Sequence, residues 1–130
     1  MGCDIHASIE KIVDGRWIMV NRLSYANNPK ALCRNYARFA ALAGVRGFGR
    51  SPKGLPLDIS ESTMLYVNEW GGDGHSHSFL YLDEASKIFL ATDPARDERD
   101  KHQKKYAMEH YFDLCEDEPR EYRIIFWFDN

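Results

Sequence analysis

Hydrophobic and polar residues alternate over residues 4–22, and this alternation predicts a β-hairpin. Asp14-Gly15 lies at its centre and is a strong signal for a two-residue turn. That turn places Ile9 opposite Val20 and sorts the side chains onto two faces. The apolar, core-facing set is Ile5, Ala7, Ile9, Ile18 and Val20. The polar set on the opposite face is Asp4, His6, Ser8 and Glu10.

Apolar residues at helical spacing predict three helices further along the chain. The first begins after Asn35, which is a suitable N-cap, and ends at Gly44, a common helix stop. Its apolar stripe consists of Tyr36, Phe39, Ala40 and Ala43. A second helix is predicted over residues 82–92, before Pro94, and a third over residues 95–115.

The remaining segments complete the predicted fold. Residues 46–60 contain three glycines and two prolines and predict a long loop, whereas residues 63–70 fit either a short strand or a helical turn. The last segment, EYRIIFWFDN, is almost continuously apolar, which is typical of a central strand buried on both faces. We therefore predict one α+β domain over residues 1–130. A small antiparallel sheet, made of the N-terminal hairpin and the C-terminal central strand, is covered on one face by about three helices, and its other face is left for a ligand or partner.

Charge and cysteine content narrow the function classes. The chain carries a formal net charge of −3, which argues against broad binding to nucleic acid. It contains no run of about 18 apolar residues, so no membrane span is expected. The three cysteines have no CxxC spacing, which favours reduced thiols and a cytosolic location.

Two short motifs suggest a metal or acid–base site. The candidate metal ligands are Asp4, His6, His75 and His77, and the three histidines are also the candidate catalytic residues. Alternate residues of an extended segment project to one side, so an Asp-x-His and a His-x-His motif can each present two ligands to one point. This donor set suits zinc or manganese and can leave a position for water. Asp73 is a further candidate, as a ligand or as the acceptor that orients a histidine.

The same two motifs are also compatible with a site that holds no metal and with no site at all. A metal-free group of histidines could perform acid–base chemistry or hydrogen bonding. The residues equally fit an ordinary solvated strand edge, because serines alternate with the histidines in HSHS.

A candidate anion site lies at the start of the first predicted helix. Arg34 and Asn35 precede that helix, whose N-terminal N–H groups favour negative charge. Lys53, in the long glycine-rich loop, could close over a phosphate. Alternatively, Asn35 only caps the helix and Arg34 pairs with one of the chain's many acidic residues.

The fragments MGCDIH, RNYARFAALAGVRG, PKGLPLDIS and DGHSHSF follow one another along the chain, before the apolar terminal strand. This order resembles a family of small proteins encoded by bacteriophages and prophages. The resemblance covers most of the chain and implies a phage protein in the cytoplasm of an infected bacterium. The positions that match the family's motifs are Gly2, Cys3, Asp4, His6, Arg34, Asn35, Tyr36, Gly54, Leu55, Pro56, His75 and His77.

The resemblance adds Tyr36 to the candidate ligand-binding residues, beside Arg34, Asn35 and Lys53. Many family members carry HSHSW followed by a Thr–Leu helix start, whereas this chain has Phe79 and Tyr81 there. The loss of that threonine weakens the prediction of a capping box, but the two histidines are in place.

Two functions follow from these observations as hypotheses. The first is a small metal-dependent hydrolase that acts on a phosphoester or nucleotide, with a metal generating hydroxide and Arg34 and Lys53 holding the phosphate. The alternative is a non-enzymatic counter-defence protein that sequesters a nucleotide signal or blocks a host bacterial protein. A converged polar site would favour the hydrolase, and an exposed apolar patch would favour the blocker. A structural or accessory part of the virion is a third hypothesis.

Overall fold

The computed structural model describes residues 2–23, 32, 34–45, 47, 49–92 and 120–129. Within them, a four-stranded antiparallel sheet carries three helices, which confirms the predicted α+β class. The elements are β1 (Asp4–Val13), β2 (Arg16–Leu23), α1 (Tyr36–Ala43), α2 (Glu61–Trp70), a 3₁₀ turn (Gly71–Asp73), β3 (Gly74–Tyr81), α3 (Leu82–Ala91) and β4 (Tyr122–Asp129). The helix predicted over residues 95–115 lies outside these ranges. No helix in these ranges is long and apolar enough to cross a membrane.

The N-terminal hairpin forms as predicted, but its register changes part-way along. Asp14 and Gly15 both have positive φ, 52° and 79°, as a type I′ turn requires. A bulge between Ile9 and Glu10 then shifts the pairing, so that Ile9 lies opposite Asn21 rather than Val20. The predicted apolar face is wrong on β2: Val20, beside the bulge, is 37% exposed, and Ile18, which pairs with Lys11 outside the bulge, is 45% exposed.

The caps at two helices explain where each begins. Asn35 accepts a hydrogen bond from the backbone N–H of Arg38, and Gly44 ends α1 with a φ of 71°, as predicted. The hydroxyl of Ser60 accepts from the backbone N–H of Thr63 and caps α2. The undecided segment 63–70 is therefore helical.

The sheet order is β2-β1-β4-β3, so the last strand lies between the first and the third. From Tyr122 to Phe128 every residue of β4 is buried, which confirms the predicted central strand. Its alternate side chains enter two separate hydrophobic clusters. One cluster contains Ile124, Phe126 and Phe128, and the other contains Ile125 and Trp127.

The helices are divided between the two faces of the sheet. Phe39 of α1 and Phe89 of α3 belong to the same cluster as Phe128. Tyr66 of α2 belongs to the other cluster, where its ring meets Trp127 edge-on at 4.8 Å between centroids. The expectation that all helices cover one face is therefore wrong. We call the side covered by α2 the α2 face; it carries the polar side chains of β1.

A buried ion pair joins β1 to β4 on the α2 face. The guanidinium of Arg123 donates to Glu10 at 2.7 and 2.8 Å, and both side chains are almost fully buried. Arg123 also donates to Asp58, and the backbone N–H of Ser60 donates to Glu10 at 3.0 Å. Because buried charges need several partners, this network fixes the loop before α2 against the sheet.

The central strand makes a direct prediction about stability. Trp127 is fully buried, and its replacement by alanine should lower the free energy of unfolding by about 3–5 kcal/mol through lost burial and a cavity. Leu65→Ala, at an exposed position of α2, is the control and should cost less than about 0.5 kcal/mol. Denaturant unfolding of both variants measures the difference, and equal losses would contradict the role assigned to β4.

Candidate functional site

Two aspartates lie side by side where β1 begins and β4 ends. Asp4 and Asp129 are register partners across the two strands and project onto the α2 face. Directly paired like charges repel each other, so each needs a partner of its own. Asp4 is bound by Arg34, and Asp129 is bound by His6.

His6 is held from two directions. Its Nε2–H donates to Oδ2 of Asp129 at 2.9 Å, and its ring stacks on Trp70 with centroids 3.8 Å apart. The side chain is 13% exposed, and Nδ1 makes no hydrogen bond to any described residue. The carboxylate therefore selects the tautomer in which Nδ1 is an acceptor that can take a proton from a ligand.

Arg34 is oriented by Asp4 in a similar way. Its Nε donates to Oδ1 at 2.8 Å and its Nη2 to Oδ2 at 3.4 Å. The hydrogen bond from Arg34 lowers the pKa of Asp4, so the carboxylate stays charged at neutral pH. A Cβ at Gly2 would lie 2.0 Å from the guanidinium carbon, so a side chain there would displace Arg34 from this position. Two of the five N–H donors of the guanidinium are used, and the half-exposed side chain can offer the others to an anion.

The two histidines of HSHS do not point the same way. The register of β3 shifts between His75 and Ser78, and Ser76 takes a φ of 55° at this bulge. His75 pairs with Phe128, on the face of α1 and α3. His77 stacks over Trp127 at 6.3 Å, on the α2 face. The bulge thus breaks the alternation on which the sequence prediction depended.

The four predicted metal ligands are consequently not brought to one point. One ion cannot be shared by all of them, because His75 lies across the sheet from the others. His6 and His77 both flank Trp127, with ring centroids 6.0 and 6.3 Å from it. In the described ranges, no group of three or more His, Cys, Asp or Glu side chains is placed to hold a metal ion. Zinc or manganese binding by a smaller set stays a prediction.

The remaining candidate residues have separate surroundings. The side-chain amide of Asn35 donates to the backbone carbonyl of Thr92 at 2.7 Å, in addition to capping α1. The hydroxyl of Tyr36 accepts from the backbone N–H of Cys3 at 3.4 Å. The ammonium of Lys53 lies over the ring of Phe79, toward the other end of β3.

The structure therefore brings Asp4, His6 and Arg34 together and does not bring Lys53 to them. Asp73 is exposed on the 3₁₀ turn.

Sequence reasoning missed Asp129 and Trp70. Asp129 follows a run of buried apolar residues, and a carboxylate at the end of such a strand is the sequence feature that could have marked it as a candidate. Its pairing with His6 depends on the β1–β4 register, since the two residues are 123 positions apart. Trp70 is the last residue of α2, and its position over His6 depends on how that helix packs.

Unpartnered polar atoms surround the HSHS strand. Nε1 of Trp127 and Nε2 of His75 are buried and have no hydrogen-bond partner among the described residues. Burial lowers the pKa of His77, and the nearby His75 lowers it further. The neutral form of His77 is therefore favoured in the folded protein.

Comparisons of the chain with protein-family models, curated proteins and solved structures find no match. The resemblance to phage and prophage proteins therefore stays a prediction.

The lowered pKa of His77 predicts a pH effect on stability. As the pH falls below the ordinary histidine value of 6.5, the unfolded chain binds a proton that the folded protein resists. The free energy of unfolding should therefore decrease as the pH falls below that value. Well above it, His77 is neutral in both states and adds no pH dependence. His77→Gln should reduce this decrease.

Denaturant unfolding between about pH 7 and pH 5 measures the effect. Asn68→Gln, an exposed and non-titrating position of α2, is the control and should behave as the unaltered protein does. An unchanged pH dependence in His77→Gln would contradict the prediction.

Proposed function

We propose that the protein is a small hydrolase of phosphoesters, including nucleotides, in which His6 transfers the proton. The observation that carries this proposal is the hydrogen bond from His6 Nε2 to Asp129, which leaves Nδ1 available for proton transfer. Arg34 supports it as an oriented cation beside the same pair of aspartates. In the phage setting that the sequence resemblance implies, such an enzyme would act inside the infected bacterium.

The proposed step uses a water molecule as the nucleophile. Nδ1 of His6 takes a proton from the water, whose oxygen attacks phosphorus, and the P–O bond to the leaving group breaks. Asp129 accepts the Nε2–H hydrogen bond and thereby stabilises the imidazolium. The proton then passes from Nδ1 to the leaving oxygen, and His6 returns to its neutral form.

Arg34 and Trp70 have supporting roles in this proposal. The remaining N–H donors of Arg34 bind non-bridging phosphate oxygens, and Asp4 keeps the guanidinium in one orientation. Trp70 is a positioning residue, because its stacked ring limits the rotation of the His6 imidazole. The metal-dependent form of the reaction differs from this proposal only in how the water is activated, and a chelator separates the two.

Variants of His6 and Asp129 test the proton-transfer roles. His6→Gln should reduce turnover by about 10²–10⁴-fold, since the acid–base group is lost. Asp129→Asn should lower kcat more than it raises KM, because an amide does not stabilise the imidazolium. Asp14→Asn, at the exposed hairpin turn far from His6, is the control and should retain full activity.

The assay follows product from a panel of phosphomonoesters, phosphodiesters and linear and cyclic nucleotides, with and without a chelator. Turnover that persists in chelator and is lost in His6→Gln supports the proposal. Turnover lost in chelator assigns water activation to a metal instead. Ligand retained by the protein and recovered intact after denaturation supports sequestration and contradicts hydrolysis, as does the absence of product from every substrate.

The role of Arg34 generates a separate prediction with a matched control. Arg34→Ala should raise KM about tenfold and change kcat less, because binding of the phosphate is lost while proton transfer remains. Arg22→Ala removes an equally exposed arginine that also binds a carboxylate through two hydrogen bonds, here Glu69. Steady-state kinetics of both variants should show the KM effect for Arg34 alone. Equal effects would contradict a role for Arg34 in binding.

A further inference from the structure

A cavity opens near the hairpin turn, at the end of the α2 face opposite to His6. It encloses about 570 Å³, which is within the usual range for small-ligand sites. Its aromatic and charged lining consists of Trp17, Lys53, Asp58, Phe79, Tyr81, Glu84 and Arg123. These residues come from β2, the loop before α2, β3, α3 and β4. We call this cavity the aromatic cleft.

Three aromatic rings form the walls of the cleft, and three cations lie against them; one is Arg120, whose guanidinium lies 4.5 Å from the centre of the Tyr81 ring. The rings of Trp17 and Tyr81 are 6.5 Å apart between centroids. The guanidinium of Arg123 lies 4.1 Å from the centre of the Trp17 ring, and the ammonium of Lys53 lies 4.6 Å from the centre of Phe79. Such walls favour a flat π-system, which can stack on the rings.

The charges in the cleft differ in whether they are already neutralised. Arg123 is bound by the buried Glu10 and by Asp58. Glu84 lies within 3.4 Å of Arg50 and within 3.3 Å of Arg120. Lys53 has no carboxylate partner among the described residues. Lys53 is thus the cation in the cleft that can bind an added negative charge.

The lining of the cleft also contains an acceptor. The side chain of Asp58 is 66% exposed, and its hydrogen bond from Arg123 lowers its pKa, so it remains an ionised acceptor at neutral pH. A carboxylate next to aromatic walls can accept N–H donors from the edge of a heterocycle. The cleft therefore combines stacking surfaces, an acceptor and one available positive charge.

We propose that the aromatic cleft binds a nucleoside monophosphate, with the base against Trp17, Phe79 and Tyr81 and the phosphate at Lys53. This site goes beyond the proposed hydrolase, because it shares no residue with the cluster at His6, by which we mean Asp4, His6, Arg34, Trp70 and Asp129. Arg123 and Trp127 are four positions apart on β4, about 13 Å along the strand. Ile125, which is buried under α2, lies between them and separates the cleft from the cluster.

The proposal is tested by calorimetric titration of the full chain with AMP, GMP, CMP and UMP. At least one of them should bind, and its nucleoside and ribose 5-phosphate should each bind at least about tenfold more weakly, since each lacks one of the two recognised parts. Trp17→Leu and Lys53→Ala should each weaken binding about tenfold, through lost stacking and lost charge respectively.

Two matched variants locate the ligand. Trp70→Leu alters the tryptophan at His6, and Lys87→Ala removes an exposed lysine of α3 outside the cleft lining. Both should bind the monophosphate as the unaltered protein does. Weaker binding in Trp70→Leu with normal binding in Trp17→Leu would overturn the proposal and place the ligand at His6. Absence of binding by all four monophosphates would also overturn it.

Hydrolysis measured in parallel distinguishes the two sites. Trp17→Leu and Lys53→Ala should retain turnover by His6, whereas His6→Gln should retain binding in the cleft. Binding without turnover supports the cleft and contradicts the proposed hydrolase. Turnover without binding of any monophosphate to the cleft supports the proposed hydrolase and contradicts the cleft as a binding site. Loss of both properties in Trp17→Leu, with a normal melting temperature, would contradict the separation of the two sites.

Discussion

β4 hydrogen-bonds to β1 on one side and to β3 on the other, and helices cover both its faces. Its seven buried residues leave the strand little freedom to slip, because a one-residue shift would exchange the contents of two different cores. Arg123 at its beginning and Asp129 at its end are therefore placed by the same packing. The aromatic cleft and the cluster at His6 both depend on this strand for a central charged group.

The two arginines illustrate different uses of an ion pair. Arg123 is buried with Glu10, so its charge has to be matched for the sheet to be stable, and little of it is left to attract a ligand. Arg34 and Asp4 are both about half exposed, where solvent screening makes the pair a minor contributor to stability. What that pair provides is the orientation of the guanidinium. This difference is why we propose anion binding at Arg34 and Lys53 rather than at the arginine inside the cleft.

Local patterns in the sequence predicted the parts of the fold that depend on neighbouring residues. The Asp14-Gly15 turn, the Asn35 cap and the apolar run of β4 are all of this kind. The bulges at Ile9 and Ser76 are not, because nothing in the local alternation marks where a strand gains a residue. The second bulge sends His75 to the other face, so the predicted four-residue metal site does not assemble. The hydrogen bond between His6 and Asp129 could not be predicted from the sequence either, since it depends on the strand register between distant segments.

The position of β4 also affects how the chain reaches this structure. The hairpin of β1 and β2 can form from adjacent residues, but its other hydrogen-bonding partner lies more than a hundred residues further along. Closing that long loop costs conformational entropy before its contacts are gained, which slows folding in proteins with many such pairings. During synthesis on a ribosome, the β1 edge that later meets β4 stays unpaired until the last strand emerges. The apolar residues of β1 are exposed during that interval, and a chaperone or another strand can bind there.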